Sequence, residues 1–143
     1  MKKEKILILN LGSTSSKIAV YEDDKEVFSE TLRHSRDEMS KFNDVLEQFD
    51  FRKEVIYKAL EKNNIPVSSL TAACSRGGNI IACPHGAIEI DQDMIDYLTR
   101  PDDMAKHASL LGSMIAFDLH KEYGIPICIY DAIGTDEMQP VAR

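Results

Sequence analysis

The sequence has few cysteines, no long hydrophobic run, no excess of positive charge and no repeated segment, and each lack removes a class of protein. Its cysteines, Cys74, Cys83 and Cys128, number 3 and carry no C-x-x-C spacing. A disulfide framework and a zinc site are therefore disfavoured, and buried, reduced thiols in a cytoplasmic chain are expected. The apolar run after the basic start, Ile6-Leu7-Ile8-Leu9, stops at Asn10, short of the ~7–15 residues of a secretory signal and the ~18 of a membrane span. Lys and Arg total 17 against 24 Asp and Glu, a net charge of −7. With no Lys/Arg stripe, neither a nucleic acid nor an anionic membrane is an expected partner.

What is present is the composition of a folded domain, 43% hydrophobic and 29% charged over 143 residues, a length that suits one domain over 1–143. Residues 5–9 read as a central strand covered on both faces, because the apolar run does not alternate. Gly12-Ser13-Thr14 then supplies a turn. Residues 17–21 alternate, with Ile18 and Val20 on one face, and Asp23-Asp24-Lys25 turns the chain into a third strand over 26–32. Ser35-Arg36-Asp37-Glu38 has the capping-box pattern, followed at helical spacing by Met39, Phe42, Val45, Leu46 and Phe49. A second helical run carries Val55, Ile56, Ala59 and Leu60 and stops at Asn63-Asn64 and Pro66. Residues 70–74 read as an interior strand, and 80–83 with 87–90 as a hairpin. Asp91 caps a short helix, a longer one spans 109–123 with Gly124 behind it, and 127–130 closes the order as a strand. Helices between strands imply parallel crossovers, while the first three strands form a meander. The expectation is a mixed α/β sheet.

Open α/β sheets place their sites beyond the carboxyl ends of crossover-linked strands. Asn10, Arg76 and Asp131 stand at those ends. Between Asn10 and Lys17, Gly12 allows close backbone approach to an anion, while Ser13, Thr14 and Ser15 offer hydroxyls and Lys17 a point charge. The same residues also suit an ordinary polar hairpin. It is no Walker A loop, since a second Gly and a following helix are missing. Arg76, ahead of Gly77-Gly78, suits a carboxylate or a phosphoryl group, or equally a structural salt bridge. Asp131 suits Mg²⁺ or the capping of a turn. His107 suits a site role or the start of the helix behind it. His34, His85 and His120 lack partner spacing and are expected at the surface, while Asp136 and Glu137 suit a solvated pair better than a metal site.

Taken together, Asn10–Lys17, Arg76-Gly77-Gly78, His107-Ala108-Ser109 and Tyr130-Asp131…Asp136-Glu137-Met138 stand in the order and spacing of the acetate/butyrate kinase family, which the chain resembles over nearly all its length. The resemblance implies an actin-like ATPase lobe of the ribonuclease-H-like superfamily, with a five-stranded mixed sheet and flanking helices. It implies transfer of the ATP γ-phosphoryl group to a short-chain fatty acid, with ADP and acyl phosphate as products, or the reverse. It also implies roles: Arg76, His107 and Asp131 catalytic; Asn10, Gly12, Ser13, Thr14, Ser15 and Lys17 around the phosphates; Asn10 and Asp131 toward Mg²⁺. Family members continue into a second lobe, so the chain reads as the amino-terminal lobe, inactive alone, of an enzyme expected to be a homo-oligomer. Leu11, Ser75, Leu110 and Ala132-Ile133-Gly134 depart from the family's pattern and leave the acid open among butyrate, branched-chain, acetate and propionate. A non-catalytic lobe that binds phosphate or Mg²⁺ is the alternative. A two-metal nuclease is disfavoured because Asn10 stands where a carboxylate cluster needs Asp.

Overall fold

The computed structural model describes residues 2–142 except 79, 81, 102–105, 133, 134, 136 and 138. The chain opens with a meander of β1 (Lys5–Leu11), β2 (Ser15–Glu22) and β3 (Lys25–Arg33). It continues through α1 (Arg36–Met39), a 3₁₀ turn (Val45–Gln48), α2 (Phe49–Lys62), β4 (Ala72–Ser75) and β5 (Ala87–Glu89). It ends with α3 (Gln92–Leu98), α4 (Leu110–Tyr123), β6 (Ile127–Tyr130) and a terminal 3₁₀ turn (Pro140–Ala142). The sheet order is β3-β2-β1-β4-β6-β5. β1 pairs with β4 and β4 with β6 in parallel, and the remaining pairs are antiparallel. The helical crossovers predict this arrangement, because two parallel neighbours cannot be joined by a tight turn.

The sheet has six strands, not five. The segment expected to pair with 80–83 instead lies on β6, with Ala87 opposite Tyr130 and Glu89 opposite Cys128. β6 would otherwise be an edge with unpaired backbone groups, and β5 satisfies them. Among the described residues, Cys83 makes an isolated bridge to Thr135.

The core lies between one sheet face and the pair α2 and α4. Leu7, Leu9 and Leu11 of β1, Ile18 and Val20 of β2, and Ile127 and Ile129 of β6 meet Ile56, Leu60, Leu111, Ile115 and Leu119 of the helices. α4 rests on β1, β4 and β6, which brings backbones close: a Cβ on Gly112 would stand 2.7 Å from Ser75 Oγ. Gly124 ends α4 in the left-handed conformation at φ 69°, as its position predicts. The opposite face of β1 is not sealed. Ile6 and Ile8 are only half-buried and, with Ala72, Cys74 and Cys128, floor a groove of about 560 Å³.

The helix expected from Ser35 to Phe49 is broken in two. Ser35 does form the reciprocal capping box with Glu38, but the helix lasts one turn. The Asp44 side chain accepts from Leu46 N at 2.8 Å and restarts the chain as a 3₁₀ turn. Short polar side chains compete with the helical backbone in this way.

Candidate active site at the carboxyl edge of the sheet

Strand register assembles the candidate residues. Leu9, Ser75 and Ile129 are aligned across β1, β4 and β6, and Arg76 N continues the ladder by donating to Leu9 O at 3.1 Å. The next residue on each strand points to the opposite face, because side chains alternate along a strand. That row holds Asn10, Arg76 and Tyr130, all exposed and all lining the groove. Asn10 is also paired directly with Lys17 of β2. The edge therefore carries, in order, an ammonium, an amide, a guanidinium and a phenol. Two cations flanking a neutral polar group define a site for an anion with several oxygens.

The turn at the end of β1 closes with Gly12 N donating to Ser15 O at 2.8 Å. Ser13 and Thr14 are exposed at its tip, whereas Ser15 is half-buried. Beneath the turn is a residue the sequence reading passed over. Arg52 of α2 is 0% exposed. Its guanidinium donates to Ser15 O at 2.9 Å, Ser16 Oγ at 3.1 Å, Ser13 O at 3.0 Å and, twice, Gln48 Oε1 at 3.2 and 2.9 Å. Among the described residues it forms no ion pair. Its charge is held by backbone carbonyls of the turn and neutral side chains, at a desolvation cost that lowers its pKa from the ordinary value. A signal was available: Arg52 stands four residues before Ile56, on the helix face that Ile56, Ala59 and Leu60 bury.

His34, expected at the surface, is buried as well. Its Nε2 lies 2.9 Å from Ser16 Oγ, and its ring meets Phe51 edge-on at 5.3 Å. Burial first, then the nearby Arg52 cation, push the imidazole below its ordinary pKa, with Glu38 opposing weakly. Arg52, Ser16 and His34 form one polar network under the β1–β2 turn.

The other candidates are placed less simply. His107 is exposed ahead of α4, and its Nδ1 accepts from Ser109 N at 3.1 Å and lies 2.9 Å from Ser109 Oγ. That contact is the helix-start role, and an accepting Nδ1 places the proton of the neutral ring on Nε2. Asp131 sits one residue past Tyr130 with φ 47°. Its Oδ1 accepts from Gly86 N at 2.8 Å and its N–H donates to Gly86 O at 3.1 Å, so the carboxylate anchors the β5 turn and does not line the groove. Register thus brings Asn10, Lys17 and Arg76 together on one face, and Asp131 lies at the same edge with one oxygen engaged. The two glycines after Arg76 serve packing. A Cβ on Gly77, whose φ is +77°, would stand 2.5 Å from Ile129 Cγ2, and one on Gly78 would stand 2.8 Å from Leu110 Cβ. Glu137 pairs with His85, and Asp136 lies outside the described residues. Among the described residues no group of three His, Cys, Asp or Glu side chains could hold a metal. No helix among them is long and apolar enough to cross a membrane.

The architecture has the fold of one part of a solved acetate kinase. The chain superposes on an acetate kinase from Entamoeba histolytica with a TM-score of 0.58, at 15% identity, over 89% of this chain and 36% of that one. No family model matches the sequence. The chain is 44% identical over 139 residues to Butyrate kinase 1 of Clostridium acetobutylicum and 39% over 141 to Butyrate kinase 2 of the same organism. It is 42% identical over 138 residues to a probable butyrate kinase of Listeria monocytogenes. These alignments take in 96 to 99% of this chain, which is therefore a homologue of the butyrate kinases. It spans 39% of the length of the relatives it matches.

Proposed function

We propose that this chain is the phosphate- and carboxylate-handling lobe of an ATP-dependent short-chain carboxylate kinase of the butyrate kinase type. The observation that carries the reading is the row at the carboxyl edge of a lobe homologous to butyrate kinases, in which Asn10 and Arg76 line the groove and Lys17 of β2 is paired with Asn10. A carboxylate of pKa near 4 is ionised at neutral pH, so the acceptor needs no general base. One carboxylate oxygen forms a bond to the γ-phosphorus as the bond to the ADP oxygen breaks, and ADP leaves with that electron pair. The protein's task is alignment and neutralisation of charge on the transferring group. In this scheme Lys17, Ser13, Thr14 and Ser15 hold phosphate around the Gly12 turn. Arg76 orients the acid and the equatorial oxygens, and the Nε2–H of His107 donates to the same group.

The amide oxygen of Asn10 and the second carboxylate oxygen of Asp131 are hard donors, few in number, which fits Mg²⁺ with its retained waters and phosphate oxygens. When bound, the cation would neutralise charge between the β- and γ-phosphates. ATP and ADP as the nucleotides, a second lobe, a homo-oligomer and a cytoplasmic location belong to the same proposal and rest on the family resemblance.

Two experiments test it. In an enzyme carrying this lobe together with the remainder found in its relatives, Arg76→Ala is expected to lower kcat/KM for the acid by roughly 10²–10³-fold, the scale for losing one group that stabilises transition-state charge. An unchanged value refutes the assignment. The chain of 143 residues, alone with ATP, Mg²⁺ and butyrate, is expected to form no acyl phosphate detectable as hydroxamate. Turnover would refute the reading as one lobe of two.

A further inference from the structure

The groove holds a pair of groups that the kinase reading does not use. Cys74 and Cys128 are direct partners in the parallel register of β4 and β6, and their sulfurs are 3.3 Å apart. All three cysteines of the chain carry free thiols and are partly exposed, contrary to the expectation that they are buried. Only Cys74 and Cys128 face each other on the groove floor.

We propose that Cys74 and Cys128 are an oxidisable dithiol, which a peroxide converts to an intramolecular disulfide across β4 and β6. Neighbouring strands are ~4.8 Å apart, inside the ~4.4–6.8 Å Cα separation a disulfide accepts, and the sulfurs need to approach by only about 1.3 Å to reach bonding distance. Both side chains line the open groove, so a small oxidant reaches them without unfolding the sheet. The pair is also poised to react. An S–H···S contact lets one sulfur ionise while the other keeps its proton, which brings Cys128 down to about 7 and pushes Cys74 up. Thiolate, not thiol, is the nucleophile.

The electrons and protons balance. The Cys128 thiolate attacks one oxygen of hydrogen peroxide, an S–O bond forms, the O–O bond breaks, and the departing hydroxide takes a proton and leaves as water. The Cys74 sulfur, giving up its proton, then attacks the sulfenic sulfur. The S–S bond forms, the S–O bond breaks and a second water departs. Two thiols lose two electrons, and the peroxide is reduced to two waters. The bond would sit one pleat below Arg76 and Tyr130, which follow Cys74 and Cys128 by two residues on the same face, although its formation does not depend on the kinase reading.

The test uses the chain as it stands. Trypsin leaves Cys74, Cys83 and Cys128 on separate peptides, 63–76, 77–106 and 122–143. After limited hydrogen peroxide the intact protein is expected to lose ~2 Da before alkylation, and after alkylation and digestion the first and third peptides should be joined, with dithiothreitol reversing both changes. Cys74 and Cys128 should disappear at least about tenfold faster than Cys83, which lacks a paired thiol. A link involving Cys83, or equal reactivity of the three thiols, overturns the proposal. Cys74→Ser is expected to stop at a sulfenic acid on Cys128 that dimedone captures. Should that variant fail to fold, phenylarsine oxide on the unaltered protein serves instead: one equivalent, bridging both sulfurs, should protect Cys74 and Cys128 but not Cys83 from maleimide, and protection of neither overturns the pairing.

Discussion

Arg52→Met removes a buried cation while roughly keeping its volume and reach. Of the three acceptors Arg52 serves at the β1–β2 turn, Ser16 Oγ belongs to a residue 0% exposed, where no water can replace the donor. Ser15 O is half-shielded, and Ser13 O lies at the exposed tip, where water substitutes readily. An acceptor left unsatisfied in a buried site costs about 1–3 kcal/mol, and a half-shielded one less. The variant is relieved of the desolvation of the guanidinium, which offsets part of the loss. The expected net destabilisation is about 2–4 kcal/mol, or roughly 4–16 °C in Tm for a domain of this size. Urea unfolding, with ΔG from midpoint and slope, measures it, and amide exchange should show the loss of protection concentrated at Gly12–Ser16. Arg52→Lys should recover less than half, since one ammonium cannot span three acceptors in fork geometry. A change below about 1 kcal/mol for Arg52→Met would refute the claim that this side chain holds the turn.

Three further outcomes follow from the same structure. His34 favours its neutral form when folded, so its contribution is complete above the ordinary imidazole value of 6.5 and is lost as the pH falls below it toward the folded value. The melting temperature should drop across that interval in the parent and less steeply in His34→Gln. Gly112→Ala places a methyl group 2.7 Å from Ser75 Oγ and should cost about 1–3 kcal/mol in urea unfolding as α4 is pushed off β4. Ser35→Ala removes the side-chain half of the capping box, in which Ser35 Oγ accepts from Glu38 N, and leaves the backbone half, Ser35 N–H to Glu38 Oε2, in place. It should cost about 0.5–2 kcal/mol, and no change would mean that α1 contributes nothing to the folded state.

Much of this molecule can be read from local pattern. The meander, α4 with its terminal Gly124, and the parallel strands β4 and β6 all follow from short-range periodicity and turn chemistry. The row Lys17, Asn10 and Arg76 was legible because a strand end is a place in the sequence as well as in space. What escaped is set by distant partners. A strand at 87–90 is expected, but against 80–83; its partner in the sheet is β6. Arg52 and His34 are polar residues whose burial depends on meeting Ser16 across the core. The apolar face of β1 that looks covered in the sequence is open, because periodicity reports that a side chain is apolar but not what packs against it. Asp131 carries a carboxylate at the expected edge, but a hydrogen bond to Gly86 N decides how much of it is available.

β3 forms one margin of the sheet, and nearly every position along it is exposed. A free margin of that length is a template on which an identical strand from another molecule can add, hydrogen bond by hydrogen bond, into a growing fibre. Lys25, Glu26, Glu30 and Arg33 stand along it, and an incoming strand would have to strip water from each of them. These charges disfavour such an addition along the longer of the sheet's two margins.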